Sequence, residues 1–353
     1  PWNYPAHTPM GSIGYALAAG NAVVFKPSEF TPGVGHALAE SLAEVVGEHP
    51  LLQVVTGFGE TGAAVCRAGV GKLSFTGSTD TAKRVMAACA ETLTPVVIEC
   101  GGKDALLVDT DADLDAAAEA AVWGAMANAG QTCVGVERVF VAETVAAEFT
   151  DRVVARAQRL RAGGEPTADL GPITMPGQVD VIRAHLADAL ARGATALVGG
   201  AESVRSPYVE PVVLADVPED SIAVTEETFG PTLTVHRVAD LDEAVGRVNA
   251  GRYGLGAAVY SAHRGAEIAA RLRCGMVSVN GVVSFTAVPA LPFGGVGDSG
   301  FGRVHGPDGL REFARAKSVT RRRFRPPLEV LTFARRSWAV RLLLRIVRMR
   351  YGR

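Results

Sequence analysis

In the first hundred residues of this 353-residue chain, short runs of Val, Ile, Leu and Phe alternate with helix-length segments. Strands are expected at 22–25, 52–55, 72–75 and 95–98, and helices at 32–47, 60–69 and 79–90. Strands separated by a helix cannot pair as hairpins. The chain must cross over, which makes parallel, right-handed βαβ units. The pattern therefore predicts an α/β protein with a doubly wound sheet, and in such sheets ligands bind beyond the carboxyl ends of the strands. The alternation continues past Gly101-Gly102, with a strand at 105–108, a helix at 113–128 and later strands at 136–141, 232–238, 257–260 and 276–279. Two adjacent glycines let the backbone turn sharply, so a domain junction is placed there. No repeat of solenoid period is visible.

With 48% hydrophobic residues, the chain is long enough to build two or three cores. Its five cysteines form no CxxC pair and no regular framework, which fits a reducing compartment and predicts a cytoplasmic location. The seven histidines show no HExxH or other ligand spacing, so no metal is expected. Neither a signal peptide nor an apolar run long enough to span a bilayer is visible. The chain opens at Pro1 inside a motif-like stretch and is expected to be a fragment.

Gly57-Phe58-Gly59-Glu60-Thr61-Gly62 spells GxGxxG between a strand and a helix. The acidic residue that should end a second strand is missing, because Asp80 opens a helix instead. A dinucleotide loop and a plain glycine-rich turn are about equally good readings of that stretch.

A set of motifs is more specific. Pro1-Trp2-Asn3-Tyr4-Pro5, Lys26-Pro27-Ser28-Glu29, Phe75-Thr76-Gly77-Ser78-Thr79 and Glu99-Cys100-Gly101-Gly102-Lys103 occur in that order. Gly130-Gln131-Thr132-Cys133, Glu226-Glu227-Thr228-Phe229-Gly230-Pro231 and Pro292-Phe293-Gly294-Gly295 follow. In content, order and spacing the series resembles the aldehyde dehydrogenase superfamily, from the first residue to about Thr320. The resemblance implies what remains of a dinucleotide-binding domain over 1–101. Over 102–320 it implies a mainly catalytic domain with a C-terminal oligomerisation segment. It also implies a missing N-terminal portion and a homodimer or homotetramer.

The implied chemistry is oxidation of an aldehyde to its acid with NAD, NADP being the second option. Cys133 would be the nucleophile, its pKa lowered by neighbouring dipoles or charges. Cys66, Cys89, Cys100 and Cys274 read as small buried hydrophobes. By resemblance the Asn3 amide and the Cys133 backbone N–H hold the oxyanion. Glu99, 34 residues before Cys133, would be the base that releases the thioester, with a pKa raised by its apolar strand. The coenzyme A-acylating relatives generally lack this glutamate, so hydrolysis is favoured.

For the cofactor, Lys26, Ser28 and Glu29 would meet the adenine ribose, where a carboxylate repels the extra phosphate of NADP. Gly77 and Ser78 would approach the pyrophosphate near a helix N-terminus, and Trp2 its phosphates. Glu227 would bind the nicotinamide ribose and Phe229 would pack on the nicotinamide. Asn280 is taken as structural support, and the glycines of 292–303 as conformational. Cys100 for the usual leucine and Ala82 for a frequent glycine are departures from the family pattern. Two other functions stay open: a semialdehyde dehydrogenase, which needs a cationic pocket, and a catalytically silent membrane-associated scaffold.

The last stretch departs from that pattern. Eleven arginines against Glu329 put +10 on residues 321–353, so the whole-chain charge of −2 leaves −12 on residues 1–320. Arg341, Arg345 and Arg348 share one helical face, with Val340, Leu343, Leu344, Ile346 and Val347 opposite. A basic amphipathic helix on an anionic membrane surface, peripheral at the inner membrane face, and a disordered or partner-docked extension are weighted equally. With an acidic body, nucleic acid is not expected.

Overall fold

The computed structural model describes residues 1–47, 49–324 and 332–352. Helix α1 (His7–Ala18) leads into β1 (Val23–Phe25), α2 (Pro32–Val46), β2 (Leu52–Val54) and α3 (Gly59–Arg67). Then come β3 (Leu73–Gly77), α4 (Thr79–Ala90) and β4 (Val96–Cys100). The boundaries have local causes. Pro32 sits in the first turn of α2, where its missing N–H is not needed, and Gly47, at φ 67°, stops that helix one residue before the predicted end. Ser78 caps α4, its hydroxyl accepting from the Thr81 N–H at 3.4 Å.

The four early strands do not form one continuous sheet. β1 pairs in parallel with β2, and β3 in parallel with β4, as two separate pairs. A crossover helix fixes the sense of pairing between consecutive strands, but not whether the second pair joins the first.

Between Cys100 and Asp104 the chain leaves this region for a larger sheet. There follow β5 (Asp104–Val108), α5 (Leu114–Met126), β6 (Val136–Ala142), α6 (Glu143–Ala157), α7 (Pro176–Ala191) and β7 (Thr195–Val198). After the two-residue strands β8 (Val204–Arg205) and β9 (Tyr208–Val209) come β10 (Val212–Ala215), α8 (Ile222–Thr225), β11 (Thr232–Val238) and α9 (Leu241–Ala250). The order closes with β12 (Gly256–Tyr260), α10 (Gly265–Arg271), β13 (Met276–Val279), β14 (Gly300–Phe301), α11 (Gly306–Glu312) and α12 (Ser337–Tyr351).

The seven-stranded sheet runs β13-β12-β5-β6-β11-β10-β7, and only β7 is antiparallel. It is covered on both faces, which explains why its strands read as continuous apolar runs. Alternate residues of β5 serve opposite cores: Leu106 and Val108 pack with α5, α6 and α7, while Ala105 and Leu107 pack with α9 and α10. A fully buried leucine there contributes roughly 1.5–3 kcal/mol. β14 returns antiparallel to β4 and places Gly300 opposite Glu99.

Pro1–Ala314 is one compact unit, and Arg315–Arg353 is a second. In the second unit α12 exposes Leu342, Leu343, Leu344, Ile346, Val347 and Met349. Residues 325–331 and 353 of the expected basic tail, Glu329 among them, lie outside the described residues.

Candidate active site

Cys133 is carried by a loop whose backbone is unusual. α5 ends at Met126, two residues before the predicted end, because Asn128, Ala129 and Gly130 are all left-handed, at φ 54°, 54° and 71°. Such a conformation costs of order 1–3 kcal/mol per non-glycine residue and persists only where its surroundings enforce it. Here they do. The Gln131 side chain donates to the Asn128 and Pro172 carbonyls at 2.9 and 3.3 Å and accepts from the Thr174 N–H at 2.8 Å. Asn3 Nδ2 donates to the Gln131 carbonyl at 3.0 Å, and Tyr4 shares a 2.9 Å hydrogen bond with Thr132. The two ends of a 130-residue stretch are thus joined at the nucleophile loop. Among the described residues, the Cys133 N–H donates to no protein acceptor.

On one side Cys133 packs with Val134, Leu255, Met276, Phe285, Val283 and Phe293. On the other it faces carboxylates. Burial raises its pKa well above the ordinary thiol value, and Glu99 and Glu227 raise it further. This runs against the sequence expectation of a lowered pKa, first because the thiol is buried and then because carboxylates lie near the sulfur.

Glu99 sits in β4 and is 7% exposed. Among the described residues, neither of its carboxylate oxygens meets a donor in full hydrogen-bond geometry, although the Cys133 thiol and Thr76 lie near enough to act on it. Burial lifts its pKa to about 7, with the Cys133 thiol and Thr76 drawing it partly back. A buried carboxylate so weakly satisfied is costly and calls for an explanation beyond packing.

The expected cofactor residues form two groups. At the end of β1, Lys26 pairs with half-exposed Glu29 at 3.4 Å, and the Ser28 hydroxyl accepts from the Phe30 N–H at 3.3 Å, which closes the turn. Gly77 ends β3, where a Cβ would lie 2.7 Å from the Phe75 ring, and Ser78 caps the following helix. Around Gly101 the second group gathers. Glu227 lies against Gly101 so closely that a Cβ there would collide with its carboxylate, and it accepts from the Gly102 N–H at 3.1 Å. Phe229, at φ 52°, meets Trp2 edge-on with ring centroids 5.4 Å apart. Glycine at 77, the N-terminus of α4, Glu227 and the Trp2–Phe229 pair are features that suit a dinucleotide.

Residues 1–319 match the aldehyde dehydrogenase family. The chain belongs to that family. It is 40% identical to a 4,4'-diapolycopene aldehyde oxidase from a Methylomonas species, over 93% of this chain and 62% of the relative. A putative aldehyde dehydrogenase from Burkholderia cenocepacia superposes with a TM-score of 0.86 at 36% identity, over 90% of this chain and 67% of that one. Betaine aldehyde dehydrogenase from Staphylococcus aureus, solved in complex with NAD+, superposes with a TM-score of 0.83 at 31% identity, over 89% and 64%. The chain thus spans somewhat under two thirds of the length of the first of these relatives.

Within this aldehyde dehydrogenase chain several polar residues escape a sequence reading. Gln131, quoted only as part of a motif, braces the nucleophile loop. Asp104 is buried with Oδ2 unpartnered, and burial holds its pKa well above the usual carboxylate range. Glu137, inside β6, is buried against Lys103. Asn280 accepts from the Ser261 N–H and donates to its carbonyl, both at 3.0 Å, joining the ends of β12 and β13. The glycines at 294, 297, 300 and 302 all have positive φ, which is the conformational need anticipated for them.

Proposed function

We propose that the protein oxidises an aliphatic or aromatic aldehyde to the carboxylic acid with NAD, through Cys133, Glu99 and Asn3. The observation that carries this is Glu99: a buried carboxyl near pKa 7, without a fully formed hydrogen bond, beside the thiol of the nucleophile loop.

Cys133 Sγ, its proton released to solvent, adds to the aldehyde carbon, and the carbonyl π pair becomes an oxyanion. Asn3 Nδ2, which spends one N–H on Gln131, offers the other to that oxygen beside the free Cys133 N–H. NAD, when bound at the residues named below, would supply the hydride acceptor for this adduct. The oxyanion then reforms its carbonyl as a thioester on Cys133. Glu99 takes a proton from water, the resulting hydroxide attacks the thioester carbon, and Cys133 leaves as the acid departs.

Lys26, Ser28 and Glu29 take the adenine ribose, Gly77, Ser78 and Trp2 the phosphates, and Glu227 and Phe229 the nicotinamide end. Glu29 favours NAD over NADP, although Lys26 offsets some of its charge. The apolar cluster that Cys133 packs against, with Val134, Val283, Phe285 and Phe293, favours an apolar aldehyde over a semialdehyde, since buried Lys103 is already paired with Glu137. The intact Asn3, Glu99 and Cys133 speak against a silent scaffold. The division at Gly101-Gly102, a homodimer or homotetramer, and a cytoplasmic enzyme peripheral to an anionic membrane complete the proposal. Among the described residues no helix is long and apolar enough to cross a membrane.

Cys133→Ser in the full-length protein should abolish turnover and leave cofactor affinity nearly unchanged, because the thiol contributes to chemistry rather than to nucleotide contacts. Cofactor reduction across an aldehyde panel, with calorimetric NAD titration, measures both. Substantial residual turnover would sink the assignment.

A further inference from the structure

Thr228 lies between the two residues assigned to the nicotinamide end, and each of its polar groups is tied down. Its N–H donates to Glu137 Oε1 and Oε2 at 3.0 and 2.9 Å, and the neighbouring Phe229 N–H donates to Oε1 at 2.9 Å. Its carbonyl accepts from Gln178 Nε2 at 2.7 Å. Its hydroxyl accepts from Lys103 Nζ at 3.1 Å and meets His185 Nδ1 at 3.0 Å. Burial lowers the His185 pKa to about 4, so the ring is neutral, and its tautomer sets which of Nδ1 and the hydroxyl donates. The Lys103 ammonium pairs with Glu137 itself.

Resting on the dehydrogenase reading above, we propose that Glu137, paired with Lys103, is a positioning residue that holds segment 227–229 so that Glu227 and Phe229 face the nicotinamide end of the cofactor. Two geometric facts set the stakes. Phe229 is held at φ 52°, which an aromatic residue does not adopt unless it is restrained. The next residue, Gly230, packs so tightly on the nucleophile loop that a Cβ on Gly130 would lie 2.1 Å from its carbonyl. The clamp therefore sets the nicotinamide end and the Cys133 loop relative to one another. A carboxylate is required, because a glutamine at 137 could serve the two N–H groups or the lysine, but not both.

The test uses the full-length protein with NAD and with ADP-ribose, which lacks nicotinamide. In Glu137→Gln, ADP-ribose affinity should stay within about twofold, while single-turnover hydride transfer falls about tenfold or more, as expected when reacting groups are misplaced. Lys103→Met combined with Glu137→Leu removes the stranded ammonium and, unlike glutamine, offers the two N–H groups no acceptor. It should recover thermal stability without recovering the rate, and it serves alone if the single variant fails to fold. A variant with the wild-type rate would overturn the proposal, as would parallel loss of ADP-ribose binding or a double variant that regains the rate. Wild-type protein that reduces no NAD with any aldehyde would instead sink the dehydrogenase reading. The ratio of NAD to ADP-ribose affinity in the variants would then decide the clamp by itself.

Discussion

Glu99 and Cys133 shape each other's ionisation, and this gives predictions of definite sign. Glu99 titrates near 7 and must be ionised to take a proton from water. Acyl-enzyme hydrolysis should therefore fall as pH drops through about 7, whereas a carboxylate at its ordinary value would lose activity only near 4–5. Glu99→Gln should keep a burst of reduced cofactor, slow the steady state and remove this pH dependence. Stopped-flow absorbance, with mass spectrometry of Cys133, follows it; loss of the burst would give Glu99 an earlier role. The same substitution removes a charge that raises the thiol pKa, so iodoacetamide alkylation of the cofactor-free protein should shift to lower pH. An unshifted alkylation profile would mean that Glu99 does not face the sulfur. At the adenine end, Glu29→Gln leaves Lys26 without its 3.4 Å partner and should raise the catalytic efficiency with NADP relative to NAD. An unchanged ratio would place Glu29 away from the ribose.

The nucleophile loop is the element whose conformation most limits the site. Gly130→Ala would put a methyl at φ 71° and 2.1 Å from the Gly230 carbonyl. It should destabilise the protein by about 1–3 kcal/mol and slow Cys133 alkylation. Thermal melts and alkylation rates check this, and wild-type values for both would show that the loop yields freely. None of this strain was legible beforehand. The 105–108 and 257–260 runs were readable because both faces of their sheet are buried, so nearly every position is apolar. The predicted helix over 113–128 overshot because Ala127 and Asn128 carry no breaker signal; tertiary hydrogen bonds of Gln131 impose the turn. Local pattern likewise could not say that β1–β2 and β3–β4 stay apart, since that depends on what lies between pairs. Cys133, Glu99 and Asn3 were legible only as motifs of a known family. Glu137 was not legible, because a glutamate in a strand reads as solvent-facing unless its buried lysine partner is known.

At the scale of the whole molecule the uneven charge is the remaining feature to account for. In α12, Arg341, Arg345 and Arg348 lie along one side, while Leu342, Leu343, Leu344, Ile346, Val347 and Met349 stay exposed. A water-facing helix gains nothing from six exposed apolar side chains, whereas a headgroup boundary accepts both faces at once. Anionic lipid would contribute about 1 kcal/mol per arginine near the surface. Screening over about 8 Å at physiological salt confines that attraction to the tail and mutes repulsion from the acidic body. The protein should therefore co-sediment with vesicles of phosphatidylserine and phosphatidylcholine, less so as salt rises and little with phosphatidylcholine alone. Removing residues 327–353 should release it without changing turnover of a water-soluble aldehyde, and should selectively lower activity toward long-chain aldehydes presented in bilayers. Equal sedimentation of intact and truncated protein at low salt would refute the lipid surface and leave a protein partner as the tail's target. If the tail binds vesicles but its loss spares bilayer-borne substrate, then it localises the enzyme without delivering the aldehyde.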